Sequence, residues 1–176
     1  MNHQPLLRLF TAATILFCTT SAVAQECRYV KTVTDPFTKV VSRGAKMAIG
    51  DPFAMREVLF EESEGKLYFG LRIVFSDMED IPFLKGDKVS MMLASDELIE
   101  ISPAKDVPSQ VFKIDNLSLR QWIVMQEVPV GLYEKISASP ITAIKFHLKN
   151  DYMVKGIKER QVQKIMENAA CMLKTR

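Results

Sequence analysis

Apolar and polar residues alternate along much of the chain. From Lys66 to Ser76, the residues Leu67, Phe69, Leu71, Ile73 and Phe75 occupy every second position, so the five side chains share one face of an extended strand. Glu57 to Glu62 precedes it across Ser63-Glu64-Gly65, and together they predict a hairpin laying one apolar face on a core. Cys27 to Thr34 and Lys39 to Ile49 form another pair around Asp35-Pro36-Phe37-Thr38, where an aspartate can accept from nearby backbone and a proline fixes φ. Gly44 interrupts the second arm and marks a candidate bulge. Asp51-Pro52-Phe53 repeats the turn chemistry. Asp87 to Ala94 and Glu97 to Ser102 flank Ser95-Asp96 as a further hairpin, and Pro103 to Pro108 reads as a connection. Leu119 to Glu127 is apolar on both faces at Trp122-Ile123-Val124-Met125, which predicts a central strand. Ile141 to Lys149 alternates with Ile144, Phe146 and Leu148 inward.

Two segments follow a helical period instead. Pro129 can occupy the first turn of a short helix through Ser137, with Leu132 and Ile136 four residues apart. Between Lys155 and Leu173, the residues Val162, Ile165, Met166, Ala169 and Leu173 form one stripe of an amphipathic helix, with Cys171 on the opposite side of the wheel. The expected fold is therefore mainly β: an antiparallel, sandwich-like domain with one short helix and a carboxy-terminal amphipathic helix.

The amino terminus has a different character. Arg8 precedes an apolar run from Leu9 to Cys18, and Ala22-Val23-Ala24 supplies small residues for a cleavage site, so residues 1–24 read as a signal peptide and 25–176 as a single β-rich domain, periplasmic or secreted. The apolar run is too short to span a membrane, and no later segment approaches that length. Phe17 before Cys18 is bulkier than a lipidation site normally carries. Removing 1–24 leaves Cys27 and Cys171 at the two ends. In an oxidising compartment this pair predicts a Cys27–Cys171 disulfide; two buried thiols or an intermolecular bond are the alternatives.

Composition narrows the classes further. The chain is 48 % hydrophobic and 25 % charged with a net charge of +2, which describes a globular domain and argues against a nucleic-acid binder. No glycine-rich phosphate loop occurs, and no cofactor is implied. After cleavage His147 is the one remaining histidine, flanked outward by Lys145 and Lys149, so it reads as a solvated surface residue. Ser102-Pro103-Ala104-Lys105 has the S-x-x-K spacing that places an amine beside a hydroxyl when the segment opens a helix. The S-D-N and K-T-G partners of that chemistry are missing, and a plain turn fits as well. Asp77, Glu79 and Asp80 form an acidic loop without EF-hand spacing. The tandem Met91-Met92 could hold soft copper but sits in a core pattern. Lys145, Lys149, Lys155, Lys158, Arg160 and Lys164 form a basic run suited to a solvated helix face more than to an anionic lipid or polysaccharide. Pro-Phe recurs at 36–37, 52–53 and 82–83, making Phe37, Phe53 and Phe83 either core plugs or ligand-contact aromatics.

Several features share an order along the chain: Cys27, Asp35-Pro36-Phe37-Thr38, the strand from Lys66 to Phe75, Lys85-Gly86-Asp87-Lys88-Val89, Leu132-Tyr133-Glu134-Lys135-Ile136 and Pro140-Ile141-Thr142-Ala143-Ile144-Lys145. In this order the chain resembles small, exported, uncharacterised bacterial β-rich proteins that open with an aspartate-x-Phe-Thr turn. The resemblance implies a β-rich domain with no established activity, and it transfers no catalytic residue. The expectation is a non-catalytic cell-envelope domain that binds an unknown envelope protein or ligand. A small Ser-Lys hydrolase and a periplasmic metal-binding protein are the alternatives.

Overall fold

A computed structural model describes residues 27–50, 56–75, 82–114, 117–147, 152–154 and 157–174. The elements are β1 (Lys31–Thr34), β2 (Val41–Ile49), β3 (Arg56–Ser63), β4 (Lys66–Phe75), β5 (Lys88–Leu93), β6 (Leu98–Ile101), β7 (Gln110–Ile114), β8 (Leu117–Val128), α1 (Val130–Ala138), β9 (Ile141–His147), β10 (Tyr152–Val154) and α2 (Glu159–Lys174). All pairings between these strands are antiparallel, giving a six-stranded sheet ordered β1-β2-β3-β4-β8-β7 and a four-stranded sheet ordered β10-β9-β5-β6. The larger sheet curls toward a half-barrel, so the expected sandwich is only coarsely right: two antiparallel sheets and two helices around a shared core.

Local turn chemistry sets the hairpins. Glu64 and Gly65 both adopt positive φ, 52° and 75°, the two-residue geometry whose twist matches the flanking strands. Ser63 therefore pairs with Lys66, and that register puts Val58 and Phe60 beside Leu71 and Phe69. Leu67, Phe69, Leu71 and Ile73 are all buried, as the alternation requires. Gly44 makes no bulge. It pairs regularly with Lys31 and Glu61, and a Cβ there would lie 3.1 Å from the Phe60 carbonyl oxygen, so the glycine allows close strand approach.

The second sheet contains an irregularity that simple alternation misses. Between Met92 and Leu93 the β5–β9 register shifts, with Met92 opposite Ala143 but Leu93 opposite Ile141. The extra residue, Thr142, lets Ile141 and Ile144 both face the core although their parity differs. β8 lies between β4 and β7 and buries Trp122 and Val124, but Ile123 remains 38 % exposed, so this interior strand has one dry face rather than two. β7 and β10 occupy segments where no strand was expected. Both are edge strands, β7 laddered to β8 and β10 to β9.

The helices close the core. Pro129 caps α1 instead of occupying its first turn. Tyr133 of α1 is fully buried; its hydroxyl donates to the Tyr68 carbonyl at 2.7 Å and accepts from the Glu61 N–H at 3.2 Å, bridging β3 and β4. Its ring meets Phe60 edge-on at 5.3 Å. α2 begins at Glu159 rather than Lys155, and its buried side is centred on Ile165, Asn168, Ala169 and Met172. Val162, Met166 and Leu173 fall at the margin, and Cys171 is buried rather than outward. The cause is covalent: Cys27 bonds Cys171 with Cα atoms 5.5 Å apart, laying the amino-terminal segment along that flank of the helix. Tyr29 continues along it, with the Lys164 ammonium 5.0 Å from its ring centre. Arg43 of β2 pairs with Glu62 and donates to the Met172 carbonyl, where the helix end attracts positive charge.

Candidate functional site

Three exposed features stand out, and the β1–β2 hairpin is the most distinct. Asp35 Oδ1 accepts from the N–H groups of Phe37 and Thr38 at 2.7 and 2.9 Å. The Lys39 N–H bonds the Asp35 carbonyl while the Lys39 ammonium donates to the Pro36 carbonyl. The Thr38 N–H, then that of Phe37, holds the Asp35 carboxyl below its ordinary pKa. A tight turn therefore fixes the backbone around Phe37, whose side chain is 92 % exposed. Val33 and Val41 add exposed apolar surface on opposite faces of the same ribbon, since Val33 pairs with Ser42 and Thr34 with Val41. All of β1 is solvent-exposed. Folding gains almost nothing from the Phe37 ring, while exposure carries its full hydration cost.

The outer face of the smaller sheet carries a polar row that no local sequence pattern marks. Ser90, a buried serine on β5, has its hydroxyl 2.8 Å from His147 Nε2 and 3.1 Å from Glu100 Oε1, and Glu100 pairs with Lys88 at 2.8 Å. Lys88 foremost, then Ser90, holds the Glu100 carboxyl below its ordinary pKa. His147 is thus partly buried and bonded rather than freely solvated. Cross-strand register could have revealed the cluster, because Lys88 faces His147 and Ser90 faces Glu100. It is not arranged as a proton relay. Serine sits between the acid and the imidazole, whereas a nucleophilic triad needs the imidazole in the middle. β5 also has ladders on both sides, which commit its amides instead of leaving an oxyanion pocket.

The third feature is an open cleft of about 270 Å³ where β6 meets the end of β8 and the start of α1. Ile99, Ile101, Val128 and Leu132 form its apolar walls, with Gln126 and Lys135 at its rim.

The other candidate residues separate clearly. Phe83 is fully buried with its ring 6.1 Å from Trp122, so its side chain packs in the core. Phe53, the acidic loop Asp77, Glu79 and Asp80, the basic residues Lys149 and Lys155, and residues 1–26 lie outside the described residues. The Ser102 hydroxyl donates to the Asp87 carbonyl at 2.8 Å, and the segment to Lys105 is an irregular connection rather than a helix start. That geometry does not match the one S-x-x-K chemistry uses. Met91 is fully buried while Met92 points outward, so the tandem pair addresses opposite faces and cannot bind one ion together. Among the described residues, no group of three or more His, Cys, Asp or Glu is placed to hold a metal, and no helix is long and apolar enough to cross a membrane. Comparison with protein-family models, curated proteins and solved structures gave no match.

Proposed function

We propose that this chain is an exported, non-catalytic interaction domain of the bacterial cell envelope that contacts its partner through the β1–β2 hairpin. One observation carries the reading: a phenylalanine 92 % exposed at the tip of a ribbon whose turn is fixed by side-chain and backbone hydrogen bonds. A rigidly presented aromatic loses little entropy on docking, the usual property of an interface anchor. The disulfide supports an oxidising compartment, periplasmic or extracellular. The cleavage pattern before Gln25 supports export.

Two measurements test the proposal. Intact mass of the protein recovered from the envelope fraction is expected to match a chain beginning at Gln25 and lacking two hydrogen atoms, with no free thiol on labelling. Phe37→Ser leaves the fold intact because the ring packs on nothing, and it should weaken retention of the envelope partner about 10- to 150-fold, the affinity equivalent of burying one aromatic ring. Equal retention by both proteins refutes the hairpin as the contact.

A further inference from the structure

Among the described strands none pairs with the outer edge of β6, which lies beside the cleft. The Leu93 N–H bonds the Glu97 carbonyl, which makes Leu93–Glu97 a hydrogen-bonded pair. In an antiparallel ladder such pairs alternate with non-bonded ones. With Met91 opposite Ile99 and Val89 opposite Ile101, Glu97, Ile99 and Ile101 turn their backbone groups toward β5. Leu98 and Glu100 therefore turn theirs away, toward the open edge. Ser102 has the same parity as this outward pair, and its N–H is bonded by the Gln126 side chain at 2.9 Å. At the other end Lys135 reaches from α1 to Glu97. Between these two clamps, no described strand pairs with the outer edge of β6.

We propose that this edge and cleft form a peptide-binding site that takes an extended polypeptide segment as an added strand. The occupant's chemistry follows from the alternation of faces. A residue opposite Ile99 or Ile101 points inward, where the cleft has room for one aliphatic side chain against Val128 and Leu132. A residue opposite Glu100 lies on the outer face beside a carboxylate that holds Lys88 and Ser90, and a lysine or arginine there would share that carboxylate whereas an acid would be repelled. The segment is thus aliphatic at inward positions and basic at an outward one. The Lys135–Glu97 pair at the mouth is exposed, so its displacement costs little.

The test uses fluorescein-labelled octapeptides alternating valine and lysine, followed by anisotropy with the full mature protein. Saturable binding is expected, together with slowed exchange of the Leu98 and Glu100 amides. Methylating the peptide nitrogens that face β6 should weaken binding at least tenfold, whereas methylating the opposite set should not. Glu100→Lys should shift the preference toward a valine–glutamate peptide, and Leu98→Pro should abolish binding while sparing the β5 ladder, because only an outward N–H is lost. Phe37→Ser should leave the peptide affinity unchanged, which separates this site from the hairpin. No saturable binding, indifference to which nitrogens are methylated, or concentration-dependent dimerisation that excludes the peptide would overturn the proposal, the last by assigning the edge to a second copy.

Discussion

Replacing both Cys27 and Cys171 by serine should cost this protein a large share of its stability. The bridge closes a loop with a sequence separation of 144 residues. On the chain-entropy relation, a loop of that length removes enough freedom from the unfolded chain to be worth about 5 kcal/mol at 25 °C. A domain of this size loses roughly 2–4 °C of melting temperature per kcal/mol, so the double variant should melt about 10–20 °C lower. The denaturant slope should rise as well, because an uncrosslinked unfolded chain exposes more surface. Thermal and guanidinium unfolding by circular dichroism, compared with wild type under oxidising conditions, measures both quantities. Local contacts near the bridge predict where the effect begins: Cys171 is buried, and the Arg43–Met172 and Tyr29–Lys164 contacts hold the same flank of α2. Hydrogen exchange should therefore show α2 loosening before the β3–β4 hairpin. A loss below about 1 kcal/mol with an unchanged slope would refute the entropic reasoning.

Other perturbations follow from single contacts. A Cβ at Gly70 would sit 2.1 Å from the Val124 carbonyl oxygen, a backbone atom that no rotamer change can move. Gly70→Ala should therefore separate β4 from β8 and destabilise by about 3 kcal/mol or more, measured by chemical denaturation. Tyr133→Phe keeps the buried ring but strips the bridge to Tyr68 and Glu61, and should cost about 1–3 kcal/mol in the same assay. The Asp35 carboxyl has a folded pKa below its unfolded one. Its contribution is therefore fully present above the ordinary carboxylate range and is lost as pH falls through the lower folded value. Amide exchange at Phe37 and Thr38 should accelerate in that acidic window, and Asp35→Ala should show the fast rate at every pH once intrinsic exchange is corrected for.

Hairpins were legible in the sequence because their chemistry is local. Asp35, Glu64-Gly65 and Ser95-Asp96 each set a turn, and the strict alternation from Leu67 to Ile73 set a face. Features that depend on a distant partner were not legible. β7 and β10 become strands only beside β8 and β9, and Thr142 becomes a bulge only against β5. The Cys27–Cys171 bridge is legible from the lone cysteine pair, whereas the buried side of α2, centred on Ile165, Asn168, Ala169 and Met172, depends on what packs against each flank of the helix. Phe37, Phe53 and Phe83 are alike in sequence. Trp122 buries Phe83, whereas the Asp35 turn holds Phe37 out, and only the folded chain separates them.

Photocrosslinking in the cell provides the most direct test of the hairpin as the contact element. A photoreactive phenylalanine analogue at position 37 of the exported protein is expected to form one dominant adduct in the envelope fraction, absent when the analogue stands at Lys46, an exposed site farther along β2. The same adduct from both positions, or none from position 37 in an exported and oxidised protein, would contradict it.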